Sequence, residues 1–265
     1  MNTENKIDII NEKISSLAEK ETIENKDLLI NGDEKITDLI FNIEDQDLKF
    51  NLLADLMLLN IKFNKDDIFE IVKTNDKNII FSVLDNNKND KETSLNIVNA
   101  AMNSDISKEN FLMISRSVMN IVVENSRDII KNYVNEKSYI SEKDNDKMFL
   151  LLLVHDKSPV SEKDKKEFEE FLSFSMAEKA NPKLFKMLLS TKINMHSVNE
   201  LNENGLFYLN GKNNEVIKEK YKLLTENGID KSLKNVNGQT YLEKNTKLDD
   251  SINRIEVEKK RKVAP

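Results

Sequence analysis

Apolar residues in this chain arrive in short clusters, each about one helix long and separated from the next by a short polar gap. That rhythm confines the chain to an array of helices. Between residues 4 and 20, apolar positions at Ile7, Ile9, Ile10, Ile14 and Leu17 give the i, i+3, i+7 spacing of a one-faced helix. Leu39–Ile43, Leu52–Leu59, Ile68–Val72, Ile79–Leu84, Leu95–Met102, Phe111–Val123, Ile129–Val134 and Met148–Val154 continue the series. The gaps hold turn formers such as Asn31-Gly32, Asn86-Asn87 and Asp144-Asn145-Asp146. No stretch of useful length alternates strictly between apolar and polar, so strands are not expected. Short helices joined by short loops pack as antiparallel neighbours in sequence order. The expected fold is all-α, a helical solenoid of antiparallel helix pairs. With 265 residues, the chain exceeds a usual single core, leaving one elongated array or two smaller domains.

Composition agrees with helices and narrows the chemistry. Charged residues make up 33% and apolar ones 38%, with 5 Gly, 3 Pro and no Trp, too few turn residues for a sandwich or barrel. A formal net charge of −7 repels polyanions, so nucleic acid is not an expected partner. The absence of cysteine removes disulfides, thiolate nucleophiles and cysteine-ligated zinc. The longest apolar run, Met148–Val154, is far short of the roughly 18–20 residues a membrane helix needs, so no insertion is expected. The opening residues MNTENKIDIINEK lack the apolar stretch of a Sec-type signal.

Catalytic and metal-binding patterns are not found. The two histidines, His155 and His196, stand in no metal-ligand spacing with each other. Gly205, Gly211 and Gly228 are too far apart for a nucleotide-binding loop. Asp85-x-Asn87-x-Asn89 opens like a calcium loop but has Asp90 where glycine must turn and Asn96 where a bidentate glutamate belongs. No catalytic residue, metal or cofactor is therefore expected. Carboxylate-only sites leave no short motif, which keeps a second reading open: an enzyme or toxin with its catalytic part in residues 1–157. The mixed runs Glu162–Glu170 and Glu215–Lys222 read as water-facing helix surfaces. Ser161 followed by Asp164 predicts a helix start, with Phe168, Phe171 and Leu172 on the apolar face behind it.

Towards the C-terminus the chain resembles itself. Asn204-Gly205 and Asn237-Gly238 stand 33 residues apart, followed by Leu206-Phe207-Tyr208-Leu209 and Gln239-Thr240-Tyr241-Leu242. Between them, Leu223-Leu224 leads into Glu226-Asn227-Gly228-Ile229-Asp230. This resembles the ankyrin repeat, in which a second helix ends in Leu-Leu, then Gly-Ala-Asp, then a turn carrying Asn-Gly, then Thr-Pro-Leu-His. Ala177–Asn181 is similar to the link between the paired helices, and Leu184–Leu189 to the second-helix core. The resemblance covers roughly 170–245 and weakens upstream; the family's Ala-Ala pair is missing after Leu209, where Asn210, Gly211 and Lys212 stand.

The resemblance implies a diverged helical region over 1–157, ankyrin-like repeats over 158–245, and a capping helix with a basic tail over 246–265. It implies binding of another protein on the surface made by turn tips and first helices. The family's variable positions fall on Glu203, Asn204, Leu206, Val236, Asn237 and Gln239, with Tyr208 and Tyr241 as exposed aromatic anchors. In the alternative reading, the repeats choose a target for an N-terminal catalytic part. Lys259, Lys260, Arg261 and Lys262 read as a solvated basic tail or capping-helix end, and also resemble a one-part nuclear import signal. Diverged ankyrin proteins of this Lys-, Asn- and Ile-rich character are familiar as effectors of intracellular bacteria acting on host proteins, and among poxviruses. The location so implied is the cytoplasm, or a host cell with entry to its nucleus.

Overall fold

The computed structural model describes residues 3–30, 34–59, 61–87, 90–155, 161–191 and 193–244. Those residues are mostly helical, with one pair of two-residue strands that the sequence pattern did not announce. Two compact units divide the chain, Met1–Val122 and Val123–Pro265. The basic cluster Lys259–Lys262 and the expected capping helix over 246–265 lie outside the described residues, as does Asn31-Gly32.

The N-terminal unit holds α1 (Thr3–Ala18), β1 (Leu29–Ile30), β2 (Glu34–Lys35), α2 (Ile36–Phe41), α3 (Gln46–Leu58), α4 (Lys65–Lys73), α5 (Lys77–Asn86), α6 (Lys91–Asn103) and α7 (Lys108–Ser117). β1 and β2 pair antiparallel, with Leu29 opposite Lys35. Packing runs in two alternating series: α2, α4 and α6 touch in order, and so do α3, α5 and α7. Helices α3, α5 and α7 start at regular intervals. Their N-caps Asp45, Asp76 and Ser107 stand 31 residues apart, and each side-chain oxygen accepts from a backbone N–H of the first turn. Behind each cap an apolar face is buried, with Leu52, Leu53 and Leu56 on α3, Ile79, Ile80, Val83 and Leu84 on α5, and Phe111 and Ile114 on α7. Asn75 takes the left-handed conformation between α4 and α5, at φ 54°. Its side-chain oxygen accepts from Ser107 N (2.9 Å) and Asn110 Nδ2 (2.8 Å), tying this turn to the start of α7.

The apolar cluster Phe111–Val123, expected as one helix, is broken: α7 ends at Ser117, Val118 leaves helical geometry, and α8 (Met119–Glu136) begins. The division between the units falls within α8. Residues before 157 are tied to those after it. Arg127 Nη1 lies 3.1 Å from Asp164, the His155 ring meets Phe168 edge-on at 4.3 Å, and Ile140 N–H donates to Lys179 O at 2.8 Å.

The C-terminal unit continues with α9 (Asn145–His155), α10 (Glu162–Lys179), α11 (Pro182–Leu189), α12 (Asn214–Glu226) and α13 (Tyr241–Lys244), with a 3-10 turn at Gly205–Tyr208. Ser161 caps α10 as its spacing predicted, accepting from Asp164 N at 3.1 Å. α11 packs on α9 and α12, while α10 and α13 pack on the 3-10 turn. Phe168, Leu172, Met176, Leu184, Phe185, Leu188, Leu206 and Leu224 are wholly buried. Burying each leucine or phenylalanine contributes on the order of 1.5–3 kcal/mol relative to leaving it in water. Asn181 caps α11 through Leu184 N, and its amide donates to Asn145 Oδ1 (2.6 Å) and Ile140 O (3.1 Å), so a polar group joins the core fully satisfied.

Candidate partner-binding edge of the C-terminal unit

Two turns, Asn199–Asn202 and Asn235–Gly238, are built alike. The side-chain oxygen of Asn199 accepts from Leu201 N and Glu203 N, and that of Asn235 accepts from Asn237 N and Gln239 N, all at 3.0 Å. Asn202 and Gly238 both take the left-handed conformation, at φ 58° and 74°. Asn235 stands 36 residues after Asn199. The same shift relates Asn194 to Asp230, whose side-chain oxygens accept from His196 N (2.9 Å) and Ser232 N (2.8 Å). The turns are laced together: Val236 N–H donates to Leu201 O at 2.9 Å, Asn202 Nδ2 to Lys234 O at 2.6 Å, and Asn204 Nδ2 to Asp230 O at 2.8 Å.

The structural repeat is therefore 36 residues here, and the 33-residue pairing of Asn-Gly dipeptides joins unlike positions. Asn237-Gly238 forms a turn. Asn204 is the N-cap of the 3-10 turn, at φ −104°, accepting from Leu206 N, and Gly205 is buried near Ala177 and Ser173. Gly228 does end α12 in the left-handed conformation, at φ 84°, as its place after Leu-Leu predicted.

This three-residue offset decides where the expected site residues lie. Val236, Asn237 and Gln239 are exposed, Val236 at 62%. Glu203, Asn204 and Leu206 are buried, with Glu203 at 1% exposure. Tyr208 is half-buried, and Tyr241 is buried with its hydroxyl donating to Tyr221 Oη at 3.1 Å, so the expectation of two exposed tyrosines is corrected. The Tyr208 ring lies against Phe174 of α10, and the Tyr241 ring against Phe207 and Tyr221. The structure instead exposes Val198 (45%) and Leu201 (49%), and Leu201 is bonded through its backbone to Val236. The 36-residue shift pairs Leu201 with Asn237, and applying it to the sequence would have pointed to Leu201.

Glu203 anchors both turns from below. Its carboxylate accepts from Lys244 Nζ (2.6 and 2.7 Å), Asn235 Nδ2 (3.1 Å) and Tyr208 Oη (2.9 Å), while Asn199 Nδ2 donates to Tyr208 Oη at 2.8 Å. Burial raises the Glu203 pKa, but hydrogen bonds from Lys244, Asn235 and Tyr208 outweigh it and hold the group below its ordinary value. The same surroundings, burial first and then Glu203, raise the pKa of Tyr208. These bonds fix the turns without leaving a buried donor or acceptor open on this carboxylate.

Lys220 corrects another expectation. It lies in the charged run Glu215–Lys222 yet has no exposed surface, and its ammonium donates to Ala177 O at 2.6 Å near the C-terminal end of α10. Burial pushes its pKa down to about 7, partly opposed by Glu178. An open cleft of about 520 Å³ is bordered by Glu178, Tyr208, Asn210, Lys212 and Ile217. His155 is buried with Nδ1 3.3 Å from Ser126 Oγ, and His196 is exposed in a turn. Among the described residues no three His, Asp or Glu side chains gather closely enough to hold a metal ion, and no helix is long and apolar enough to cross a membrane. No protein-family model, curated protein or solved structure matches the chain.

Proposed function

We propose that the chain is a protein-binding module, a diverged ankyrin-like solenoid that holds a partner against the tips of the turns at 199–202 and 235–238. The observation that carries this reading is the exposure of Leu201 and Val236 on two adjacent turns whose backbones are bonded to each other, with Val198 exposed just before the first. Apolar side chains held out on turns fixed by their own hydrogen bonds lose little freedom when a partner covers them. Within the proposed site, Val198, Leu201, Val236, Asn237 and Gln239 meet the partner. Glu203, Asn204, Leu206, Tyr208 and Tyr241 hold the turns in position. The alternating contacts and 31-residue cap interval of the N-terminal unit support reading it as helical repeats too.

Affinity capture with the full chain tests the proposal. The double substitution Leu201→Ser with Val236→Ser should weaken capture, since hot-spot truncations commonly cost about 2 kcal/mol or more, while helicity stays unchanged. Leu153→Ser, on an apolar side chain 44% exposed in the same unit but away from the turns, is the control and should leave capture intact. Capture lost with the control and retained with the double variant would place the binding surface elsewhere.

A further inference from the structure

All five glycines of this chain follow an asparagine. In an Asn-Gly pair the glycine nitrogen, unhindered by a Cβ on its own residue, can attack the asparagine side-chain carbonyl carbon and close a five-membered imide. Proximity of the two reacting atoms sets the rate. The four pairs among the described residues differ in what holds those atoms. Asn204 is 2% exposed, its oxygen held by Leu206 N and its amide by Asp230 O. Asn227 donates its amide to Leu223 O, and Gly228 N–H is taken by Thr225 O. Gly238 N–H is taken by Asn235 O at 2.8 Å. At the fourth pair, Gly211 N–H donates to the side-chain oxygen of Asn210 itself, at 2.8 Å, in an exposed loop. The nitrogen and the carbonyl it would attack are already in contact, with water at hand.

We propose that Asn210–Gly211 is a site of spontaneous deamidation and backbone isomerisation in the folded chain. Gly211 N loses its proton to solvent base and bonds to Asn210 Cγ; the Cγ–Nδ2 bond breaks and ammonia leaves with a proton from water. Water then opens the imide at either carbonyl, giving aspartate or a β-linked isoaspartate. Either product adds a carboxylate to the cleft edge already lined by Glu178. The β-linked product also lengthens the backbone where there is no room. A Cβ on Gly211 would stand 2.7 Å from Val216 Cγ1, and Asn210 N–H caps α10 through Ala177 O at 3.2 Å. Modification therefore loosens the junction of α10 and α12, and the C-terminal unit carries an ageing site independent of any partner.

Peptide mapping by mass spectrometry during incubation of the full folded chain at mildly alkaline pH tests this, with the urea-unfolded chain as reference. In the folded chain the Asn210 peptide should lose ammonia and then gain water more than about tenfold faster than the Asn204, Asn227 and Asn237 peptides, a factor equal to about 1.4 kcal/mol of barrier. In urea the four rates should converge, chiefly because the other three accelerate. Asn210→Gln should remove the fast component alone. The proposal is overturned if Asn227 or Asn237 reacts as fast as Asn210 in the folded chain, or if urea accelerates Asn210 along with the rest.

Discussion

The two units build repeats from different materials. In the N-terminal unit the repeated object is a capped helix with an apolar face, begun every 31 residues and packed against the next but one. In the C-terminal unit the interval is 36, and what recurs most faithfully is turn chemistry: Asn199 with Asn235, and Asn194 with Asp230. Where a helix would complete the pair before α12, a single 3-10 turn stands, Gly205–Tyr208. Four residues bury less apolar surface than ten, and buried polar groups such as Glu203, Asn181 and Lys220 join the core around them. Apolar contact is non-directional and tolerates exchange of one hydrophobe for another, whereas a side-chain bond to a particular backbone N–H demands a short polar side chain such as asparagine or aspartate at that position. That contrast explains why particular residues recur in the C-terminal unit, while the N-terminal unit repeats only a pattern of caps and apolar positions.

The largest effects should come from the buried leucines that both units share. Leu56 in α3 and Leu224 in α12 have no exposed surface. Changing either to alanine should cost about 2–5 kcal/mol, with the loss confined to its own unit in amide hydrogen exchange during urea titration. All five tyrosines, Tyr133, Tyr139, Tyr208, Tyr221 and Tyr241, fall in the C-terminal unit, so tyrosine fluorescence reports on that unit alone. If Leu224→Ala left its midpoint in place, α12 would not be part of the core of the C-terminal unit.

Local signals were legible in the sequence, and tertiary ones were not. Each apolar cluster from α1 to α9 marked helical residues, and Ser161 marked a start, because helix faces and caps are set within a few residues. The break at Val118 was hidden because Val118 is itself buried and continues the apolar run. Reading glycine as the mark of a left-handed turn puts the repeat phase three residues out. Asn202 fills that role at one turn, while Gly205 follows an N-cap. Lys220 reads as a wet-surface residue in the sequence because its acceptor, Ala177 O, lies 43 residues upstream. Exposure at Leu201 and burial at Tyr241 follow from the same long-range packing.

A smaller effect should separate the units by chemistry. Glu203→Ala leaves the Asn235 amide and Tyr208 hydroxyl without their shared acceptor and should cost about 1–3 kcal/mol, the penalty for orphaned buried groups. The pKa of Glu203 is lowered in the fold, so its contribution is fully present above the unfolded value of 4.5 and is lost as pH falls through the folded one. Tyrosine-monitored acid unfolding should therefore be less steep in Glu203→Gln than in the parent chain. An identical acid limb in both would mean that the carboxylate is not held by Lys244, Asn235 and Tyr208 in solution.

The finest test of the contrast lies at alkaline pH, where burial disfavours the charged form of a lysine and stability again rises with pH. Lys220 is held near pKa 7 by burial, against 10.5 for an ordinary lysine. Between those two values the unfolded chain carries a proton that the folded chain does not, so stability rises with pH, by up to about 1.4 kcal/mol per pH unit. Below that window both states are protonated, and the cost of burying the charge is constant. Near the top of the window a second process opposes the first. Tyr133, Tyr139 and Tyr208 have raised pKa values in the fold, through burial first and nearby carboxylates second. The unfolded chain then loses tyrosine protons that the folded chain keeps, and stability falls as pH climbs. Urea unfolding followed by tyrosine fluorescence should thus show the C-terminal unit strengthening above neutrality and turning over in the tyrosine range. Lys220→Met keeps the apolar stem and removes the titrating group, so it should abolish the rise and preserve the turnover. If the rise persisted in Lys220→Met, the ammonium would not be the group that titrates, and the polar construction of this unit would rest on Glu203 and its asparagines alone.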